Sequence, residues 1–371
     1  MKTNPLDDIV KCNVEIASPA SNDATFDAIL LLVPAPSGTG TTAMTKTTAV
    51  RSADELLEYG FATTDAAYRA AEVAFSQNPA PNALQIRIRK TVTTGSGNDA
   101  VTTNEDVKAA LSAANAEASF YGVHLTDFKT ANDVKDAVEW AEANEKLFGF
   151  EYADSAACPV TNFSYYRSFS VYAGSADGYA AENQPAVNKY AALAWMAKCF
   201  GYQPGSETWN LKTLSTVVPS ALSSNEKTTF AANHINTFLR YAGGNVMIGG
   251  YTLAGEWIDV IRFRDWMKNE MQVRVFNVLK GNRKVPYTDE GIGMVEGAMK
   301  AALKAGQTVG GIAPTEYDAD DNEIPGYTVT VPRSADITDA QRKSRKLTDC
   351  KYTARLAGAI HAVEISGFLT F

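Results

Sequence analysis

Histidine and cysteine are scarce in this chain, three and four residues respectively in 371, and neither set is arranged for chemistry. His124, His234 and His361 stand far apart, with no acid or second histidine at ligand spacing. Each therefore reads as a core or surface residue and not as a metal ligand. Cys12, Cys158, Cys199 and Cys350 are equally dispersed. Without a CxxC pair they fit neither a zinc site nor a dithiol, and they suit free thiols in a reducing cytoplasm. Long apolar runs are missing as well. The longest aliphatic stretch, Ala28 to Val33, is stopped by Pro34, far short of a bilayer span, so no membrane insertion is expected. Met1 to Asp8 is polar and offers no apolar signal core, so a cleaved secretion signal is not expected either. There is no surplus of positive charge: 34 Lys and Arg face 42 Asp and Glu, a net charge of −8. With no basic stripe carrying interleaved aromatics, nucleic acid is not an expected partner.

The catalytic signatures are absent too. No GxSxG elbow, HExxH helix or Walker loop occurs. Ser37-Gly38-Thr39-Gly40 lacks the lysine and second glycine of a phosphate loop and reads as a flexible connection. Asp318, Asp320 and Asn322 start like a calcium loop, but Glu323 stands where the turn needs glycine and Val329 where the bidentate acid belongs. They read as a solvated hairpin tip. The expectation is a chain with no catalytic residues, no cofactor and no metal, and not an enzyme.

What is present is a globular composition, 45% hydrophobic and 20% charged, with alternating helix and strand patterns. Residues 9–16 alternate apolar (Val10, Cys12, Val14, Ile16) and polar, the pattern of a half-buried strand. Phe26 to Val33 reads as a central strand. Helices are expected at 53–59, 65–77, 105–116, 131–146, 186–200 and 224–232. Strands are expected near 84–88, 119–125, 147–152, 169–172, 213–218, 234–240 and 246–248. Residues 91–103 read as a polar linker. Two long helices follow, 256–279 and 288–305, then a strand at 327–331, a basic helix at 337–347 and a strand at 351–356. This alternation implies an α/β fold of mixed sheets flanked by helices.

Two features are unusual. The last segment alternates again, with Val363, Ile365, Leu369 and Phe371 on one face, so both chain ends read as amphipathic strands on short tethers (18–22 and 357–359). Such a strand either docks into its own sheet or completes the sheet edge of a neighbouring copy. The other feature is a dense basic cluster, Arg342, Lys343, Arg345 and Lys346, which is either a solvated helix face or a dock for an acidic partner.

Several stretches together resemble the contractile tail sheath proteins of myophages and R-type pyocin-like particles. They are the strand 9–16, the apolar strand 27–33 with its Pro/Gly loop, "SADELLEYGF", "ALQIRIRK", "NHINTFLRYAGGNVMIGGYTLAGEWIDVIRFRDWMKNEM" and the final "KYTARLAGAIHAVEISGF". The resemblance implies a two-domain tail-sheath fold with strand-donating arms: an N-terminal arm (1–20), an outer domain (21–234), an inner domain (235–359) and a C-terminal arm (360–371). It implies a virion structural protein, assembled in the bacterial host cytoplasm and located in the virion tail. Its partners would be itself, as stacked hexameric rings in a helical polymer, the tail tube, and the baseplate and tail terminator proteins. Contraction would drive the tube through the host envelope for genome ejection. The inter-subunit strands would be Val10, Cys12, Val14 and Ile16, and Val363, Ile365, Leu369 and Phe371. Arg342, Lys343, Arg345 and Lys346 would face the tube. The alternatives are another phage structural protein, such as a tube or capsid component, or an α/β enzyme.

Overall fold

A computed structural model describes residues 25–94, 101–126, 130–153, 164–180 and 183–369. The strands are β1 Ile29–Val33, β2 Thr48–Val50, β3 Leu84–Ile88, β4 Thr91–Thr94, β5 Val101–Asn104, β6 Gly122–Leu125, β7 Leu147–Tyr152, β8 Ser168–Tyr172, β9 Asn236–Tyr241, β10 Gly244–Ile248, β11 Glu316–Tyr317, β12 Glu323–Ile324, β13 Tyr327–Thr330 and β14 Lys351–Ala354. The helices are α1 Glu55–Glu58, α2 Ala66–Phe75, α3 Val107–Glu117, α4 Ala131–Ala143, α5 Ala191–Phe200, α6 Ser224–Ala232, α7 Ile258–Gly281, α8 Asp289–Thr308 and α9 Asp339–Ser344.

One eight-stranded sheet organises the first two thirds of the chain, in the order β10-β9-β8-β7-β6-β1-β3-β2. Its six central strands are parallel, and β2 and β10 close the edges antiparallel. β1 is buried along its whole length because it has a helix layer on each side. Ile29, Leu31 and Val33 point into a core with α2, α5 and the Trp195–Trp209 pair. Leu30 and Leu32 point into the opposite core with α3 and α4. A strand covered on both faces has to be apolar without interruption, which is why this run is the most legible element in the sequence.

The remaining third forms a smaller unit. α7 and α8 pack antiparallel through Phe263, Trp266, Met267, Ala302 and Leu303, and Tyr327 and Val329 of β13 lie against them. The two-stranded sheets β11–β12 and β13–β14 project from this helix pair.

Four sequence expectations shift. Residues 91–103, read as a linker, belong to the antiparallel hairpin β4–β5, which ends at Asn104. Residues 213–218, read as a strand, are irregular, because side-chain amides occupy their backbone. Asn188 exchanges two bonds with Val218, and Gln77 exchanges two with Ser215. β9 and β10, assigned to the inner domain, hydrogen-bond into the large sheet, so the boundary expected at 234/235 falls inside that sheet. The basic helix expected over 337–347 is only the six residues of α9, ended by Arg345 in the left-handed region at φ 55.

Candidate assembly interface

The smaller unit is fastened to the sheet through the first half of α7. Arg262 is fully buried. Its guanidinium donates to the Glu207 carboxylate and to the carbonyls of Phe26 and Tyr202, the latter two at 2.9 Å, and lies over the Phe200 ring. Burial pushes the Glu207 carboxyl up, and the adjacent Arg262 opposes this. One turn on, Asp265 accepts from the Arg167 guanidinium (2.9 Å to Oδ1) and from the Tyr121 hydroxyl (2.8 Å). Burial raises the Tyr121 phenol well above its usual range, and Asp265 adds to the rise. Buried charges are tolerated only where partners saturate them. α7 therefore cannot slide on the sheet without stranding two carboxylates. Its second half leaves the body, and Phe276 and Leu279 are more than half exposed there.

α8 starts at Thr288, whose hydroxyl accepts from the Gly291 amide. Ile292, Val295, Met299, Ala302, Leu303 and Gly306 follow at helical spacing and are buried. Gly306 lets α8 come close to α7: a Cβ there would lie 2.6 Å from the Met267 sulfur.

β13 and β14 pair from Tyr327↔Ala354 to Thr330↔Lys351, and every residue of β14 is exposed. A two-stranded ribbon is marginal by itself in water, and among the described residues no third strand joins it. From β14 the chain runs back over the body. Arg355 donates its amide to the Gly326 carbonyl and accepts from the Ala313 amide, and the Ala357 amide donates to the Gly311 carbonyl. Beyond His361 it leaves the surface without regular structure as far as Leu369. Val363 is 72% exposed, Ile365 90%, Phe368 97% and Leu369 102%. Val363, Ile365 and Leu369 therefore form no strand in their own subunit. Phe371 lies outside the described residues, as do Val10, Cys12, Val14 and Ile16.

The basic cluster is split. Arg342 is half-buried and structural, donating to the carbonyl of Tyr287 (2.9 Å) and the hydroxyl of Ser334 (3.2 Å). It ties α9 to the start of α8, so it is not a free docking charge. Lys343, Arg345 and Lys346 are exposed. Arg345 and Lys346 rim a groove of about 810 Å³ whose walls include Phe276, Leu279, Val295 and Tyr352. The sequence reading missed Phe276 and Leu279 because their spacing on α7 also fits a buried face.

The singled-out polar residues fall into structural places. His124 is fully buried on β6 against Glu151 (3.1 Å), which also accepts the Ala192 amide at the start of α5. Asp318 closes its own hairpin by accepting from the amides of Asp320 and Asn322. Cys199 is a buried thiol and Cys350 a half-buried one, both free. Among the described residues no three His, Cys, Asp or Glu side chains converge as a metal site, and no helix is long and apolar enough to cross a membrane.

This fold recurs in known structures. The helical sheath of the anti-feeding prophage in its contracted state superposes with a TM-score of 0.67 over 97% of this chain and 99% of that one, at 12% identity. The fold is that of a contractile tail sheath protein. Residues 258–369, from α7 to the exposed tail, match the family model described as E217 tail sheath protein gp31-like, C-terminal domain. The contracted sheath of an extracellular contractile injection system, the PVC, matches at TM-score 0.64 and 11% identity over 99% of this chain and 98% of its own. A sheath tail protein from Listeria innocua matches at 0.53 and 10% identity, over 83% and 89%. A sequence comparison with curated proteins gave no match.

Proposed function

We propose that this chain is the sheath subunit of a contractile tail, polymerising as stacked hexameric rings around a tail tube and contracting to drive that tube through the host envelope. The observation that carries the reading is the pairing of an apolar tail exposed by 72% or more at Val363, Ile365 and Leu369 with an incomplete two-stranded ribbon. Each supplies what the other lacks. A donated strand gives the ribbon a third row of main-chain hydrogen bonds and buries alternate side chains.

The energetics make a single donation marginal. Burying Val363, Ile365 and Leu369 contributes about 1.5–3 kcal/mol each. Ordering eight or nine residues costs roughly 1 kcal/mol or more per residue. One arm alone does not hold two subunits, whereas several closed around a ring act at high effective concentration. The subunit then moves as one body, because the buried Arg262 and Asp265 ties forbid slip between sheet and α7. Lys343, Arg345 and Lys346 would meet an acidic face of the tube, with baseplate and terminator proteins at the two ends.

Negative-stain microscopy tests the reading. The full chain should form hollow striated cylinders, and a chain lacking residues 362–371 should stay as folded single particles. Cylinders from the truncated chain would refute arm donation.

A further inference from the structure

The small-residue stretch at 357–359 is the natural tether by composition, yet it is not where the chain last touches the body. His361 comes back down. Its Nε2 lies 2.8 Å from the Thr208 hydroxyl, and its ring stands edge-on to Trp257 at 4.5 Å between centroids and 76° between planes. Asp259, beside Trp257 at the start of α7, bonds the same hydroxyl. Thr208 thus links the His361 imidazole to the Asp259 carboxylate. Burial raises the Asp259 carboxyl, and its hydrogen bonds, including that from Thr208, oppose this.

Between Ala357 and His361 the chain is largely exposed, and the last backbone hydrogen bond among the described residues is the one from the Ala357 amide. It bridges a cavity of about 220 Å³ lined in part by Gly205, Phe263, Gly311 and Leu356. A loop held only at its two ends over a cavity has one discrete way to lengthen, which is to lose the distal contact.

We propose that His361 is a latch that sets the free length of the C-terminal arm. With the latch closed, the span to Leu369 is residues 362–369, eight residues. With it open, the span is 358–369, twelve residues. At about 3.3–3.6 Å per extended residue the maximum reach rises from roughly 26–29 Å to roughly 40–43 Å. A lattice whose subunits change separation while their arms stay engaged needs such a reserve. The inference rests on arm donation for its use but not for its existence, since the latch lies within one subunit.

The test is made on dilute, unassembled full chain. Spin labels are placed at position 365 (Ile365→Cys) and at one exposed body position, with the native cysteines replaced, and the distance distribution is measured by pulsed electron resonance. His361→Ala and Thr208→Val should each increase the spread of the distribution about 1.4-fold, since the excursion of a flexible segment grows as the square root of its length and the segment from anchor to label goes from four residues to eight. His361→Gln, which keeps a donor, should restore part of the restriction. An unchanged spread in both His361→Ala and Thr208→Val overturns the latch. Far-ultraviolet circular dichroism distinguishes a lost latch from a lost fold, and a label at position 354 on β14 should be unaffected in every variant. If the chain lacking 362–371 still forms cylinders, arm donation fails while the latch measurement stands on its own.

Discussion

Replacing Arg262 with methionine is the sharpest probe of how the two units are joined. The guanidinium is buried and makes an ion pair with Glu207, whose side chain is 1% exposed, as is that of Arg262. It also satisfies the carbonyls of Phe26 and Tyr202. Arg262→Met fills similar volume but leaves a buried carboxylate without its countercharge, which costs about 3–5 kcal/mol. Glu207→Gln in the same chain removes the stranded charge, so the double variant should recover about 2–3 kcal/mol of that loss. It should not return to wild type, because the two carbonyls still lack a donor at about 1 kcal/mol each. The assay is urea unfolding of the unassembled chain at pH 7, followed by tryptophan fluorescence and circular dichroism, with the midpoint read at constant slope. Loss of the tie should also separate the two units, so Arg262→Met should show two transitions where the parent shows one. A single variant costing under about 1 kcal/mol, or a double variant as unstable as the sum of its parts, would refute the view that this pair locks α7 to the sheet.

Asn236→Ala removes a fully buried amide that accepts from the Gly250 and Tyr251 amides and donates to the Ser170 and Tyr251 carbonyls. With the buried Ser170 carbonyl and Gly250 amide and the half-buried amide and carbonyl of Tyr251 all deprived of this partner, the loss should be about 2–4 kcal/mol by chemical denaturation. Glu117 is held down to about 2 by the Thr47 amide and hydroxyl and by Arg87. A carboxyl lowered in the folded state contributes above its unfolded value, and the contribution is lost as pH falls from about 4.5 toward 2. With the side chain 32% exposed, solvent screening reduces this to on the order of 1–2 kcal/mol. Glu117→Gln should lose that amount at pH 7 and flatten the acid limb of a stability–pH curve. Reversing Lys343, Arg345 and Lys346 to glutamate, with Arg342 kept, should weaken co-assembly with the tube protein in a salt-dependent way and leave the unfolding free energy within about 0.5 kcal/mol. Unchanged tube binding in a sedimentation assay would remove those residues from the interface.

Wherever local sequence carries a period or a stop, the elements are set by it. β1 is an uninterrupted apolar run because helices cover both its faces. The helix read from Ser224 is there as α6, its capping box set one residue earlier at Ser223, and α9 starts with a capping box at Thr338. The apolar alternation of the tail is legible, and so is the resemblance to sheath proteins, while residues 362–369 carry no regular structure within the subunit. Tertiary structure decided the rest, because the deciding partners are distant in the chain. The Thr-rich residues of β4 and β5 carry no apolar alternation and become strands only by pairing with each other. Residues 213–218 have strand composition but give their backbone to Asn188 and Gln77, up to 138 positions away. β9 is claimed by β8 and so belongs to the large sheet, which its local sequence does not reveal. Arg342 looks like one of four equal charges until Tyr287 and Ser334 take it up. His361 is only one more scattered histidine until Thr208 and Trp257 lie beneath it. Periodicity records which face of an element is apolar, while hydrogen-bond partners are assigned by the packed fold.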